Sequence, residues 1–170
     1  GDYQVIERSL LEIRKPAHIF GPGDSTALNE VTIQKADPSM ITIQVHVDDA
    51  FLNTYWADGL IVSTATGSTA YNLSVGGPIL SPEDESIIIS PISPHNLTIR
   101  PIVISGESNL RMIMEGRSDE YLATCDFRSR RIPFSEEIII SRSAEKLKTV
   151  MLKGMDFYST LRNRLMWGAD

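Results

Sequence analysis

The sequence predicts a mainly β fold, an antiparallel sandwich-like domain with two short helices. Three observations predict it. Residues 40–48 alternate without a slip, with Ile41, Ile43, Val45 and Val47 on one face and Thr42, Gln44, His46 and Asp48 on the other. From residue 102 onward, apolar runs at 102–105, 110–115, 121–127, 137–142 and 146–152 recur between turn signals, the spacing of a sandwich or barrel. Helical patterning shows at residues 69–75 and 156–166.

The chain has 170 residues, a length that one domain spanning 1–170 accommodates with a single core. A net charge of −6 argues against nucleic-acid binding driven by general electrostatics. Cys125 is the single cysteine, so an intrachain disulfide and zinc-type Cys/His spacing are both excluded. No apolar run approaches the roughly 18–20 residues that span a bilayer, and no signal peptide opens the chain. A cytoplasmic protein is the expectation.

In order, Gly1 and Asp2 read as the tail of a preceding segment, and residues 3–14 lean to a strand. Residues 15–24 carry Pro16, Gly21, Pro22 and Gly23 and read as a loop, with His18 an ordinary surface histidine. Residues 27–35 read as one strand with Val31 and Ile33 inward and Asn29 and Glu30 at its start. Asp49 and Ala50 read as a hairpin turn, and residues 51–56 return toward the central stretch. Beyond Pro78, residues 80–85 form a loop, 86–92 a buried strand and 93–101 a second loop stiffened by Pro94 and Pro101. The turns between the later strands fall at Gly106, 116–119, 129–131 and 143–145, which makes the basic cluster Arg128, Arg130 and Arg131 a solvated turn. Asp156 caps the last helix, Phe157, Leu161 and Leu165 give it an apolar face, and Trp167 and Gly168 end it.

Residues 58–78, DGLIVSTATGSTAYNLSVGGP, organise the rest. Leu60, Ile61 and Val62 start a strand, residues 63–66 continue it as a polar tail and Gly67 breaks it. Ser68 and Thr69 offer hydroxyls for a helix over residues 70–75, stopped by Gly76, Gly77 and Pro78. Two readings fit: a plainly capped helix start, or amides converging on an anion or ribose-phosphate ligand. Ser63, Thr64, Thr66, Ser68, Thr69, Tyr71, Asn72 and Ser74 crowd the segment more than a cap requires. It is neither a Walker loop nor a GxGxxG fingerprint, having no lysine and the wrong glycine spacing.

The stretch resembles the signature of the NAD kinase family, with Ala65 where that family usually has proline. Leu28, Asn29, Glu30 and Val31 form a second block, and residues 92–97 followed by Arg100, Pro101, Ile102 and Val103 a third, in family order. The Cys125-Asp126 pair and the terminal helix match more loosely.

The resemblance implies an enzyme that moves a phosphoryl group from ATP or polyphosphate, with a divalent metal, usually magnesium, to the 2′-hydroxyl of the adenosine ribose of NAD. It implies a two-domain protein whose N-terminal domain carries a GGDG motif with the catalytic base. No GGDG occurs here, so the chain looks like the C-terminal, NAD-binding and oligomerising domain, inactive alone and with no catalytic residue or metal ligand of its own. Asn29 and Glu30 look like the ribose- and phosphate-contacting pair. Thr66, Thr69, Ala70 and Tyr71 look like the adenine-side wall, and Asp58 and Ser74 like the residues that hold the nicotinamide carboxamide. Ile92, Ser93 and His95 resemble a subunit-crossing loop, which implies a homodimer or homotetramer.

Two other readings remain open at this point. A lipid kinase of the diacylglycerol or sphingosine type shares the two-domain plan but lacks the full TGSTAY…GGP string. A non-catalytic nucleotide-binding β-domain would need no partner domain.

Overall fold

The computed structural model describes residues 2–17, 19–21, 24–166 and 168; the readings made for Gly1, His18, Pro22, Gly23 and Trp167 lie outside them. In chain order the first strands are β1 (Tyr3–Lys15), β2 (Thr26–Ala27), β3 (Glu30–Lys35), β4 (Ile41–Val47), β5 (Ala50–Ala57) and β6 (Gly59–Ser63). A 3₁₀ turn (Thr66–Thr69) and the short helix α1 (Tyr71–Ser74) follow. Then come β7 (Ile87–Ile92), β8 (Ile102–Ile104), β9 (Leu110–Glu115), β10 (Glu120–Cys125), β11 (Arg128–Pro133), β12 (Ile138–Leu152) and α2 (Phe157–Leu165).

The strands form two antiparallel sheets, ordered β2-β1-β12-β9-β4-β5 and β11-β10-β3-β6-β7-β8. Period-two alternation turns Ile41, Ile43 and Val45 of the first sheet inward, where they meet Val31, Ile33, Leu60, Val62 and Ile89 of the second in one apolar cluster. β6 and β7 are buried along their whole length. Their outward residues Ile61 and Ile88 are fully buried as well, and Ala65 with the α1 segment closes over this face. A continuous apolar run is what a strand covered on both faces needs. The mainly β, sandwich-like architecture with two short helices is the one expected.

Several boundaries differ. Residues 27–35 do not make one strand: the chain changes sheets at Leu28 and Asn29, with Ala27 paired to Leu11 in one sheet and Glu30 to Ser63 in the other. Residues 138–152 are one strand, not two. Ser9 pairs with Lys146 and Leu11 with Arg142, so residues 143–145 are extra length on β12, a bulge rather than a turn. Residues 129–131 are not a turn either, because Arg128, Arg130 and Arg131 lie in the edge strand β11. Charged side chains on an edge blunt pairing with another chain, which is why the strand reads as a loop. The turn is at Asp126, with φ of 52°. The β4–β5 hairpin turns on Asp48 and Asp49, at φ of 49° and 67°, one residue earlier than expected. Asp156 does cap α2, accepting the Ser159 N–H at 2.9 Å.

Candidate functional site

The central stretch builds a frame before it offers any surface. β6 ends at Ser63, and residues 64–66 turn away instead of prolonging it. The Thr64 hydroxyl donates to the Leu28 carbonyl at 2.6 Å and accepts the Gly67 N–H at 3.1 Å. The Thr64 N–H donates to the Asn29 carbonyl at 2.9 Å. A Cβ at Gly67 would lie 2.0 Å from that carbonyl oxygen, so glycine is required for the turn to pack on Asn29.

Asn72 is the second anchor. Its amide donates to the carbonyls of Ser68 and Pro78 at 3.1 and 3.0 Å, and its oxygen accepts the Ser90 hydroxyl at 2.6 Å. The Ser68 hydroxyl donates to Ala65 and accepts the Leu80 N–H. Ser63, Thr64, Ser68 and Asn72 are therefore spent on structure.

The helix-start readings are corrected here. Neither Ser68 nor Thr69 caps a helix: the residue before α1 is Ala70, and no side-chain cap bond forms. The amides of Gly67, Ser68 and Ala70 already have acceptors in Thr64, Ala65 and Gly67. Four residues of helix supply little dipole for an anion.

Thr66, Thr69, Ala70, Tyr71 and Ser74 keep some exposure, and the Tyr71 backbone N–H lies against Glu30. Glu30 is half-buried, its Oε2 fully buried without a hydrogen-bond partner. Burial, then the Asp126 carboxylate, pushes its pKa up to about 7, while the Tyr71 backbone N–H pulls the other way. Along β3 the same face presents Thr32 and Gln34, and the Gln34 amide donates to the Tyr71 hydroxyl at 3.4 Å. The result is a strip with the half-buried Glu30 carboxylate at one end, buried Thr32 in its middle and Tyr71, 36% exposed, beside it.

Asp58 stands at the other end of the β3–β6 ladder, one residue beyond the Gln34–Gly59 rung and about 17 Å along the strand from the Glu30–Ser63 rung. Its carboxylate pairs with Lys35 at 2.6 Å, and Lys35 shares the parity of the inward Val31 and Ile33 rather than of Glu30 and Gln34. One chain thus brings Asn29, Glu30, Thr66 and Tyr71 into one neighbourhood and leaves Asp58 in another. Ile92, Ser93 and His95 belong to the Asp58 end, where Asp58 N–H donates to the Ile92 carbonyl and His95 N–H to the Trp56 carbonyl. Ile92 points into its own chain, so its apolar surface is not free for a neighbour; Leu97, 84% exposed, is.

Sequence reasoning missed Asp126, Lys35 and Gln34. The Cys125-Asp126 pair was the one available signal for the first. Clefts of about 390 Å³ (Gln4, Ile6, Arg8, Met151, Phe157 and Tyr158 among its walls) and 480 Å³ (Glu12, Arg14, Ser25 and Ser143) lie against β1 and β12 instead.

The family model of the ATP-NAD kinase C-terminal domain matches residues 28–152. The chain belongs to that family. It is 43% identical over 171 residues to a NAD kinase of Flavobacterium johnsoniae, covering 99% of this chain and 58% of that protein. It is 42% identical over 170 residues to a NAD kinase of Bacteroides fragilis, again covering 99% and 58%. The chain therefore spans little more than half the length of these relatives. Among solved structures, a yeast NADH kinase complexed with NADH superposes with a TM-score of 0.84 at 25% identity, over 98% of this chain and 50% of that one. A NAD kinase from Archaeoglobus fulgidus in complex with ATP superposes with a TM-score of 0.75 at 28% identity, over 97% and 59%. Membership in the ATP-NAD kinase C-terminal family sets aside the lipid-kinase reading.

Proposed function

We propose that this chain is the acceptor-binding part of a NAD kinase, which transfers a phosphoryl group from ATP or polyphosphate to the 2′-hydroxyl of the adenosine ribose of NAD. The observation that carries this is Glu30, a half-buried carboxylate with one oxygen unpartnered, beside Asn29 and flanked by Tyr71. A ribose hydroxyl is a donor of the right kind for that oxygen, and Asn29 can both donate and accept. Thr66, Thr69, Ala70 and Tyr71 give the adenine side its wall, with the Tyr71 ring for packing. Asp58 and Ser74 hold the carboxamide end. Because Asp58 lies on a different face from Glu30, a single bound dinucleotide reaches it in a second copy of the chain. That favours a homodimer or homotetramer, with Ser93, His95 and Leu97 at the boundary. Cytoplasmic residence belongs to the same reading.

Phosphoryl transfer depends on positioning, charge stabilisation and a base for the attacking hydroxyl. This chain supplies the first. Among the described residues no group of three or more His, Cys, Asp or Glu side chains converges. Magnesium is commonly held by one or two carboxylates plus substrate phosphates, so we assign part of its coordination to the donor's phosphates. The test is NADP formation by the full-length polypeptide from NAD with ATP or polyphosphate and magnesium. Robust turnover is expected there and none from the 170-residue chain, since binding the acceptor alone gives no rate. A full-length protein without NADP formation overturns the reading.

A further inference from the structure

Asp126 lies far in sequence from residues 28–30 and is bound to all of them. Its Oδ2 accepts the Leu28 N–H at 2.8 Å, and its Oδ1 accepts the N–H groups of Asn29 and Glu30 at 2.8 and 3.2 Å. Its own N–H donates to the Glu30 carbonyl at 3.0 Å. Those amides are the ones left without ladder partners when the chain crosses from one sheet to the other between β2 and β3. A buried or half-buried amide without an acceptor costs about 1–3 kcal/mol, and one carboxylate answers three. Asp126 itself sits at φ 52° at the tip of the β10–β11 hairpin. Asp tolerates that conformation better than most side chains, so the turn and the carboxylate's aim are supplied together.

We propose that Asp126 is a positioning residue for the ribose site: its carboxylate fixes the sheet-crossing turn at residues 28–30 and so aims Asn29 and Glu30 at the ligand. This rests on the acceptor-binding reading above and extends it to a residue outside the strip. Both carboxylate oxygens are engaged by N–H donors, so Asp126 makes the turn rather than contacting the nucleotide. Asp126 also acts on Glu30 as a like charge, and it is the one charged group, of those described, that bears on Glu30. The two roles are coupled, since holding the Glu30 backbone keeps its side chain near a negative charge and out of water.

The test uses the full-length enzyme and the variants Asp126→Ala and Asp126→Asn. Misplacing a reacting group by about 1 Å costs on the order of 100-fold, so kcat/KM for NAD should fall by about that factor in Asp126→Ala. In Asp126→Asn the like charge is gone, and the acid limb of the pH profile of kcat/KM should move to lower pH. A merely structural residue would lower the melting temperature and leave KM, kcat and the acid limb of the folded enzyme in place; that result overturns the proposal. A second measurement needs no variant. Saturating NAD should slow amide exchange at Leu28, Asn29 and Glu30 in the parent enzyme, and exchange unchanged by NAD overturns the proposal even where both variants misfold. A parent enzyme that makes no NADP defeats the functional reading instead. An active parent with insensitive Asp126 variants defeats this one alone.

Discussion

The ammonium of Lys35 lies 2.6 Å from Asp58 Oδ1, and the same residues are joined through the backbone, Lys35 N–H donating to the Asp58 carbonyl at 3.0 Å. The carboxylate is thus held by a neighbour across the ladder, with its second oxygen outside that contact. Both side chains are about a third exposed, at 31% and 39%. Such a pair contributes under about 1 kcal/mol to stability.

Asp58→Ala in the full-length enzyme should therefore melt close to the parent yet bind NAD more weakly. Loss of a hydrogen bond to a charged group costs about 1.5–3 kcal/mol, roughly a 10- to 100-fold rise in Kd. Lys35→Ala removes the ion pair and keeps the carboxylate, so it should bind NAD nearly normally. Equal binding losses in the two variants, or a purely thermal effect of Asp58→Ala, would assign Asp58 to the strand end and not to the ligand.

Asn72 and Gly77 make a coupled pair. Asn72→Ala strands the Ser90 hydroxyl and the Ser68 carbonyl in a buried site and should cost about 3 kcal/mol, read from urea midpoints. Gly77→Ala brings a Cβ within 1.9 Å of the Asn72 side-chain oxygen and should cost about 1–3 kcal/mol. In the Asn72→Ala background that penalty should largely vanish, because the atom it meets is gone. Additive losses would show that Gly77 is constrained by its backbone rather than by Asn72.

Much of this frame was legible in the sequence, and the reason is local. The alternation of residues 40–48 and the apolar run at β6 are properties of neighbours in the chain, and both became strands at nearly the expected bounds. What stayed hidden depends on distant partners. The break between β2 and β3 exists because Asp126, nearly a hundred residues away, supplies acceptors for the crossing. The continuity of β12 exists because β1 pairs with it on both sides of the bulge at residues 143–145. The crowd of hydroxyls at residues 63–74 was visible, but its division into frame and surface was not. Ser68 and Thr69 are adjacent in sequence, yet one is buried among carbonyls and the other exposed.

Ala65 has φ of −59°, inside the range that proline fixes, and its N–H donates to nothing among the described hydrogen bonds. Ala65→Pro should restrict the unfolded chain without straining the folded one, stabilising by about 0.4–1 kcal/mol. A higher urea midpoint with NAD affinity unchanged is the expected outcome. A lower one would place the conflict at Thr64, whose backbone a following proline restricts.

The pH dependence of stability should carry the mark of Glu30. Its carboxyl is raised from an ordinary 4.5 to about 7 by burial and by Asp126. The folded protein therefore holds a proton that the unfolded chain releases between about pH 4.5 and 7, so stability falls as pH rises through that window. Below about 4.5 both states are protonated and the residue costs nothing of this kind; above about 7 the native state carries a half-buried charge and the cost is complete. Glu30→Gln keeps the shape and removes the titration. It should be more stable than the parent at pH 8, by about 1–3 kcal/mol once partial solvent access is allowed for, and nearly equal to it at pH 4.5. Urea midpoints across this range, without nucleotide, measure the difference. Parallel curves for parent and variant would mean that Glu30 finds water in the folded state, and its unpartnered oxygen would no longer be waiting for a ribose hydroxyl.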